Sequence, residues 1–239
     1  MNILIPMAGM GTRFPTEKYP MPKPLIEISG EKMIHKAVKS LNLKGNYFFV
    51  IAKTKYSEEI KESVKSVVSN SKFIEIDYIT EGPACSALLF KNEINNDDEL
   101  IIANCDQIME WNSKNFLHNI KLYDGAMVTY HSDTKKNSYA SVDQEGFVTA
   151  VKEKEVISNI SLNGIHYWKK GKYFIESAEE MVNSQDRANN GEFYIGPTYN
   201  YMIKKGLKVG IHHIPNQQHH PIGVPEDLKK YIEYVNKKT

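Results

Sequence analysis

An α/β fold on a mainly parallel sheet is expected from this sequence. Short apolar runs alternate with helix-like segments over the first hundred residues, in the order strand, helix, strand, helix. The runs 47–52 and 99–103 are almost continuously apolar, as in strands covered on both faces. The chain is also long enough, at 239 residues with 41% hydrophobic and 25% charged, to build one sizeable core.

The elements follow in order. Residues 2–6 read as a strand, and 33–43 as a helix, with Ile34, Ala37, Val38 and Leu41 at helical spacing. Residues 47–52 form a β-rich run, 57–68 an amphipathic helix and 73–79 an alternating strand. Pro83 suits the first turn of a helix over 83–90. A buried strand at 99–103 closes this half. The middle is β-like at 125–131, 139–142 and 147–151, with Asp143-Gln144-Glu145-Gly146 as a hairpin turn. A strand at 162–168, helices at 172–183 and 198–204 and a strand at 207–214 come next. A last helix over 225–236 opens with Pro225, Glu226 and Asp227, where acidic residues complement the helix dipole. No repeat or low-complexity linker divides the chain, so a single domain over 1–239 is expected.

Charge and composition exclude several classes. Thirty basic side chains face 29 acidic ones, a net charge of +1, which leaves no footprint for general nucleic-acid binding. Any bound anion is then held by a local site. Cys85 and Cys105 lie in apolar surroundings and read as reduced, buried thiols. The first residues lack a basic stretch ahead of a long apolar one, and no apolar run approaches the ~18 residues of a membrane span. A cytoplasmic protein without a membrane partner is expected.

The strand at 2–6 runs into Met7-Ala8-Gly9-Met10-Gly11-Thr12-Arg13-Phe14. Glycines admit positive φ and let backbone N–H groups approach an anion. Arg13 adds a planar, permanently charged fork suited to phosphate. Phe14 stands where a dinucleotide fingerprint needs its third glycine, and the Gly-Lys-Ser/Thr of a Walker loop is missing. By itself the loop could equally be a tight turn without ligand. A second feature follows in Tyr19-Pro20-Met21-Pro22-Lys23-Pro24-Leu25, where two prolines clamp Lys23 and would hold its charge at a fixed point.

Gly-x-Gly-Thr-Arg followed by Pro-Lys-Pro-Leu resembles the signature of the sugar-phosphate nucleotidyltransferases and their cytidylyltransferase relatives. The resemblance runs over nearly the whole chain and weakens after residue 200. It implies a Rossmann-like mixed sheet flanked by helices, with residues 1–110 as the nucleotide half and 111–239 as the acceptor half. It further implies that Met7, Ala8, Gly9, Met10, Gly11, Thr12, Arg13 and Lys23 hold a nucleoside triphosphate. Base contacts carry over to Glu81, Gly82 and Ser86 in Thr80-Glu81-Gly82-Pro83-Ala84-Cys85-Ser86. Asp106, at the end of the 99–103 strand, matches the family's Mg²⁺-binding aspartate, although Cys105 replaces the usual preceding glycine. Arg13, Lys23 and Asp106 are the implied catalytic set. Glu153 and Lys154 match the family's acceptor-binding Glu-Lys pair, and Asn163, Gly164 and Glu192 match segments lining the acceptor pocket.

One departure is plain. Ile222-Gly223-Val224-Pro225-Glu226-Asp227-Leu228 matches a family segment, yet Pro221 stands where the second metal aspartate is expected. His219 and His220 are placed to reach that site instead, although imidazole is a poor partner for Mg²⁺. The loop opening Pro-Met-Ala-Gly is similar to that of branches acting in bacterial capsule and surface-polysaccharide synthesis. Among these it resembles the cytidylyltransferases of capsular phosphoramidate synthesis, which implies CTP and phosphoglutamine. A sugar-1-phosphate acceptor with UTP, dTTP or CTP is the alternative, and a non-catalytic nucleotide sensor is a second one of another class. No coiled-coil seam is visible, so a homo-oligomer is left open.

Overall fold

The computed structural model describes residues 1–9 and 11–238. The chain enters through β1 (Asn2–Met7). A 3-10 turn at Lys23–Leu25 and the hairpin of β2 (Glu27–Ile28) and β3 (Glu31–Lys32) lead into α1 (Met33–Leu41). Asn42 ends that helix in the left-handed region, at φ 50°. Then come β4 (Asn46–Ala52), α2 (Ser57–Lys65), β5 (Ser71–Ile76), α3 (Pro83–Leu88), α4 (Lys91–Ile94) and β6 (Leu100–Ala103). A three-residue strand β7 (Gln107–Met109) precedes α5 (Ser113–Asn119), which Asn112 caps by accepting from the Asn115 N–H at 3.1 Å. The second half is β8 (Gly125–His131), β9 (Ser138–Val142), β10 (Val148–Glu153), β11 (Ile160–Trp168), α6 (Gly171–Asn183), α7 (Thr198–Lys204), β12 (Val209–His213), β13 (His219–Pro221) and α8 (Pro225–Lys238).

One continuous mixed sheet joins the halves. β6, β1, β4 and β5 run parallel, and β11 lies antiparallel to β6. The other edge of β11 carries β8, which β12 extends in parallel, and the β9–β10 hairpin continues the sheet past the end of β6. Strand alternation divides the core in two. Ile3, Ile5 and Met7 of β1 face α1, α2 and α5, while Leu4 faces α3, α6 and α7. Helices thus cover both faces, which is why the central strands read as unbroken apolar runs. No helix among the described residues is long and apolar enough to cross a membrane.

One strand expectation shifts at its edge. The 73–79 strand stops at Ile76, because β5 is an edge strand whose only partner, β4, ends opposite it at Ala52. Tyr78 and Ile79 are therefore exposed, at 55% and 77%. β7, β13 and α5 had no place in the sequence reading. Three residues are too few to show a period.

A third apolar cluster matters most for function. Phe14, Ile26, Ile28 and Met33 pack with Ile108 of β7, Ile222, and Leu228 and Tyr231 of α8. It ties the glycine-rich loop to the β7–β13 ribbon and the last helix. On the far side, Tyr199 of α7 stacks on Trp168 at 4.9 Å, with its hydroxyl shared between the carbonyls of Ala126 (2.8 Å) and Tyr167 (3.0 Å). Tyr199→Phe strips that donor from a fully buried site and is expected to cost about 1–3 kcal/mol in a denaturant titration. An unchanged midpoint would mean that the hydroxyl contributes nothing to holding α7.

Candidate active site

The loops that follow β1 and β6 meet at the carboxyl ends of these neighbouring parallel strands, where open α/β sheets place ligands. The Lys23 ammonium donates to the Asp106 carboxylate at 2.5 Å, and the Arg13 guanidinium lies 3.9 Å from the same oxygen. The three implied catalytic residues are thus brought together from two loops. Pro22 and Pro24 set Lys23 at the start of the 3-10 turn, and its side chain is only 11% exposed. Arg13 is 63% exposed and free to follow a ligand. Gly11 adopts φ +63° and closes a turn on the Phe14 N–H, so the loop passes beside Lys23. Ala8 packs partly into the core, while Gly9 and Thr12 are exposed. Met7 ends β1 with a buried side chain, leaving only its backbone to face a ligand. Met10 lies outside the described residues.

Asp106 is held by its own backbone. Its carbonyl accepts from the Ile222 N–H at 2.8 Å, and a Cβ on Gly223 would sit 2.7 Å from its carboxylate. The glycine of the 222–228 segment therefore makes room for Asp106. Pro221 pairs with Gln107 across the β7–β13 ribbon. Period-two alternation puts His219 and Pro221 on the cleft face and sends His220 the other way. His220 packs on Tyr231 and Tyr234, with Glu110 at 3.6 Å, so only one of the two expected histidines reaches the site. Burial, with His220 adding to it against Asp106, pushes the His219 imidazole down to about 4 and keeps it neutral.

Arg13, Asp106, His219, Pro221 and Gly223 line one cleft of about 780 Å³ together with Gln107, Tyr130, Asn137, Glu153, His166 and Tyr194. Among the described residues no group of three His, Cys, Asp or Glu side chains gathers to hold a metal by itself. Asp106 offers a single hard oxygen donor. That fits Mg²⁺ only in the form it takes with nucleotides, one carboxylate plus phosphate oxygens. Burial pushes the Cys105 thiol up to about 11, which disfavours its thiolate, and both cysteines are free thiols.

The 81–86 segment, implied to contact the base, is zipped to another loop. The Phe193 N–H donates to the Glu81 carbonyl at 2.8 Å, and its carbonyl accepts from Ala84 at 3.0 Å. Gly82, between them, adopts φ 133° and ψ 174°. The Glu81 carboxylate pairs with Arg187, and Ser86 is buried with its hydroxyl 2.6 Å from that of Thr80. Both side chains thus already have protein partners, as do the carbonyls of Glu81 and Gly82, and Pro83 is the member of the segment that lines the cleft.

Of the residues implied to bind the acceptor, Asn163 and Gly164 occupy the irregular stretch of β11 between Leu162 and His166. Gly164 (φ +90°) presses against the Asn104 amide, and Asn163 is buried in the cleft floor. Glu153 faces the cleft, accepts from Ser138, and has its carboxyl raised by burial. Lys154 turns away. It follows the last residue of β10 at φ +55°, and its ammonium donates to the Tyr194 hydroxyl at 2.7 Å. Glu192 is exposed, and it interacts with Tyr194 beside that pair.

The family model for nucleotidyl transferases matches residues 3–208. The chain belongs to that family. It is similar to the bifunctional protein GlmU of Aquifex aeolicus, 25% identical over an alignment of 228 residues that covers 87% of this chain and 47% of that protein. It is also similar to the bifunctional IPC transferase and DIPP synthase of Archaeoglobus fulgidus, 29% identical over 108 residues, 45% of this chain and 21% of the other. The chain thus spans less than half the length of these curated relatives. A nucleoside-diphosphate-sugar pyrophosphorylase structure from Vibrio cholerae superposes with a TM-score of 0.85 at 23% identity, covering 97% of this chain and 99% of that one. The inositol-1-phosphate CTP transferase of T. maritima gives 0.76 at 15% identity, covering 99% and 95%. The family's sheet, mixed and flanked by helices, is the fold found here.

Several cleft residues had escaped notice in the sequence. Gln107, Tyr130, Asn137, His166 and Tyr194 come from five separate segments, and no local pattern links them. Gln107 Nε2 and His166 Nδ1 are buried without a hydrogen-bond partner. Burial pushes the His166 imidazole from 6.5 down to about 3. The unfolded chain thus binds a proton that the folded chain refuses, and the stability so contributed is present above 6.5 and lost as pH falls toward 3. The denaturation midpoint is expected to drop between about pH 7 and 4.5, and the His166→Phe variant to show a shallower drop. Parallel pH profiles of the two proteins would contradict this.

Proposed function

We propose that this chain transfers a nucleoside monophosphate, CMP from CTP, onto a small phosphorylated acceptor and releases pyrophosphate. The observation that carries the reading is the convergence of Lys23 and Arg13 on Asp106 beside the glycine-rich loop. An acceptor phosphate oxygen attacks the α-phosphorus in line, the α–β phosphoanhydride bond breaks, and pyrophosphate leaves. The acceptor phosphate is already anionic, so positioning and charge neutralisation supply the catalysis. The glycine-rich loop and Arg13 hold the β- and γ-phosphates, and Lys23 moves from Asp106 to the reacting phosphates. Asp106 would hold Mg²⁺, which when bound supplies further neutralisation of phosphate charge. The acceptor lies against Glu153, Asn163 and Gly164, with Lys154 and Glu192 acting through Tyr194.

CTP is favoured by the resemblance to capsular cytidylyltransferases and by the similarity in fold to an inositol-1-phosphate CTP transferase. Phosphoglutamine and a place in capsule or surface-polysaccharide synthesis rest on the sequence resemblance. A sugar 1-phosphate is the alternative acceptor. A matrix of four triphosphates against sugar 1-phosphates, phosphocholine and phosphoglutamine, with Mg²⁺, tests the reading by pyrophosphate release. Release with one triphosphate–acceptor pair is the expected result. Pro221, in place of a second carboxylate, favours one other reading, a non-catalytic nucleotide sensor. Triphosphate binding by calorimetry without release from any mixture would establish the sensor.

A further inference from the structure

The geometry points to Arg187 as a positioning residue that sets base selectivity and couples the nucleotide side of the cleft to the acceptor side. Its guanidinium lies over the Phe193 ring, 4.1 Å from the centroid. It donates to the Gly191 carbonyl at 2.9 Å and to Gln185 Oε1 at 3.0 and 3.2 Å, and it pairs with the Glu81 carboxylate. Five donors in one plane allow a single side chain to make these contacts while stacking on a ring, which a lysine cannot do. Phe193 is fully buried, and its backbone brackets Gly82 through the bonds to Glu81 and Ala84. Arg187 therefore pins one loop to the other from outside the cleft. The consequences lie inside it. Pro83, next to Gly82, lines the cleft on one side of the clamp, and Tyr194, next to Phe193, lines it on the other. Tyr194 in turn receives the Lys154 ammonium. Freeing Phe193 would shift the backbone of 81–83 and the Tyr194–Lys154 pair together.

This inference rests on the reading of 81–86 as the base-contacting segment. The test is equilibrium binding of α,β-methylene CTP and UTP to the wild-type protein, R187K, R187Q and E81Q, followed by acceptor dependence of pyrophosphate release. R187K and R187Q are expected to reduce the ratio of the two affinities by about tenfold. They should also raise the acceptor KM, with kcat at saturation within about threefold of wild type. E81Q keeps the stack on Phe193 and loses only the ion pair, so a smaller shift in the same ratio is expected even if R187Q folds poorly. An unchanged affinity ratio and acceptor KM in R187K and E81Q, whatever their thermal stability, would overturn the assignment. Wild-type protein that binds neither analogue would instead overturn the functional reading itself.

Discussion

Lys23→Ala is expected to lower kcat for pyrophosphate release by about 10²–10³-fold, with a much smaller effect on triphosphate affinity. The side chain is nearly buried, is mounted between two prolines, and points at the carboxylate around which the triphosphate would settle. In the ligand-free protein it neutralises Asp106. Once phosphates arrive, the same charge is available where negative charge builds in the transition state, at little cost in reorganisation. Stability should change by only about 1 kcal/mol, since Asp106 is partly solvated and keeps Arg13 nearby. Steady-state kinetics and a thermal melt separate the two effects. Near-normal turnover in a folded variant would remove Lys23 from the mechanism.

Gly82→Ala is expected to be the most damaging small substitution in the first half of the chain. The pair φ 133°, ψ 174° lies in a region that only glycine occupies readily, and leaving it for a side chain costs about 1–3 kcal/mol. A Cβ there would also meet the Phe193 carbonyl oxygen at 2.5 Å and its nitrogen at 2.6 Å. Backbone cannot rotate away as a side chain can, so overpacking adds about 1–3 kcal/mol. Denaturant titration should show the sum, and calorimetry should show triphosphate binding weakened alongside it. A variant as stable as wild type would mean that the 81–84 and 193 segments are not clamped as described.

Both predictions start from features the chain announces locally. The strands β1, β4 and β6 are legible because burial on both faces demands unbroken apolar runs. Helix α1 is legible because its buried positions recur at helical spacing. The glycine loop, the proline-clamped Lys23 and the polar end of the Leu100–Ala103 strand are each contiguous motifs, so they could be picked out before any fold was known.

What depends on contacts far apart in the chain could not be read that way. The β7–β13 ribbon pairs residues 107–109 with 219–221, and each strand is too short to carry a period. Only that pairing sends His219 into the cleft and His220 into the packing of α8. Lys154 follows Glu153 directly, yet a left-handed backbone turns its ammonium to Tyr194, 40 residues on. Glu81 and Arg187 are separated by 106 positions, and nothing local in either segment names the other. The sequence alone was sufficient for the α/β class and for singling out the glycine-rich loop and the trio Arg13, Lys23 and Asp106, which the fold brings together, because periodicity and motif are short-range properties. The direction of each cleft side chain was decided by long-range pairing and by backbone conformations that residue order alone does not specify.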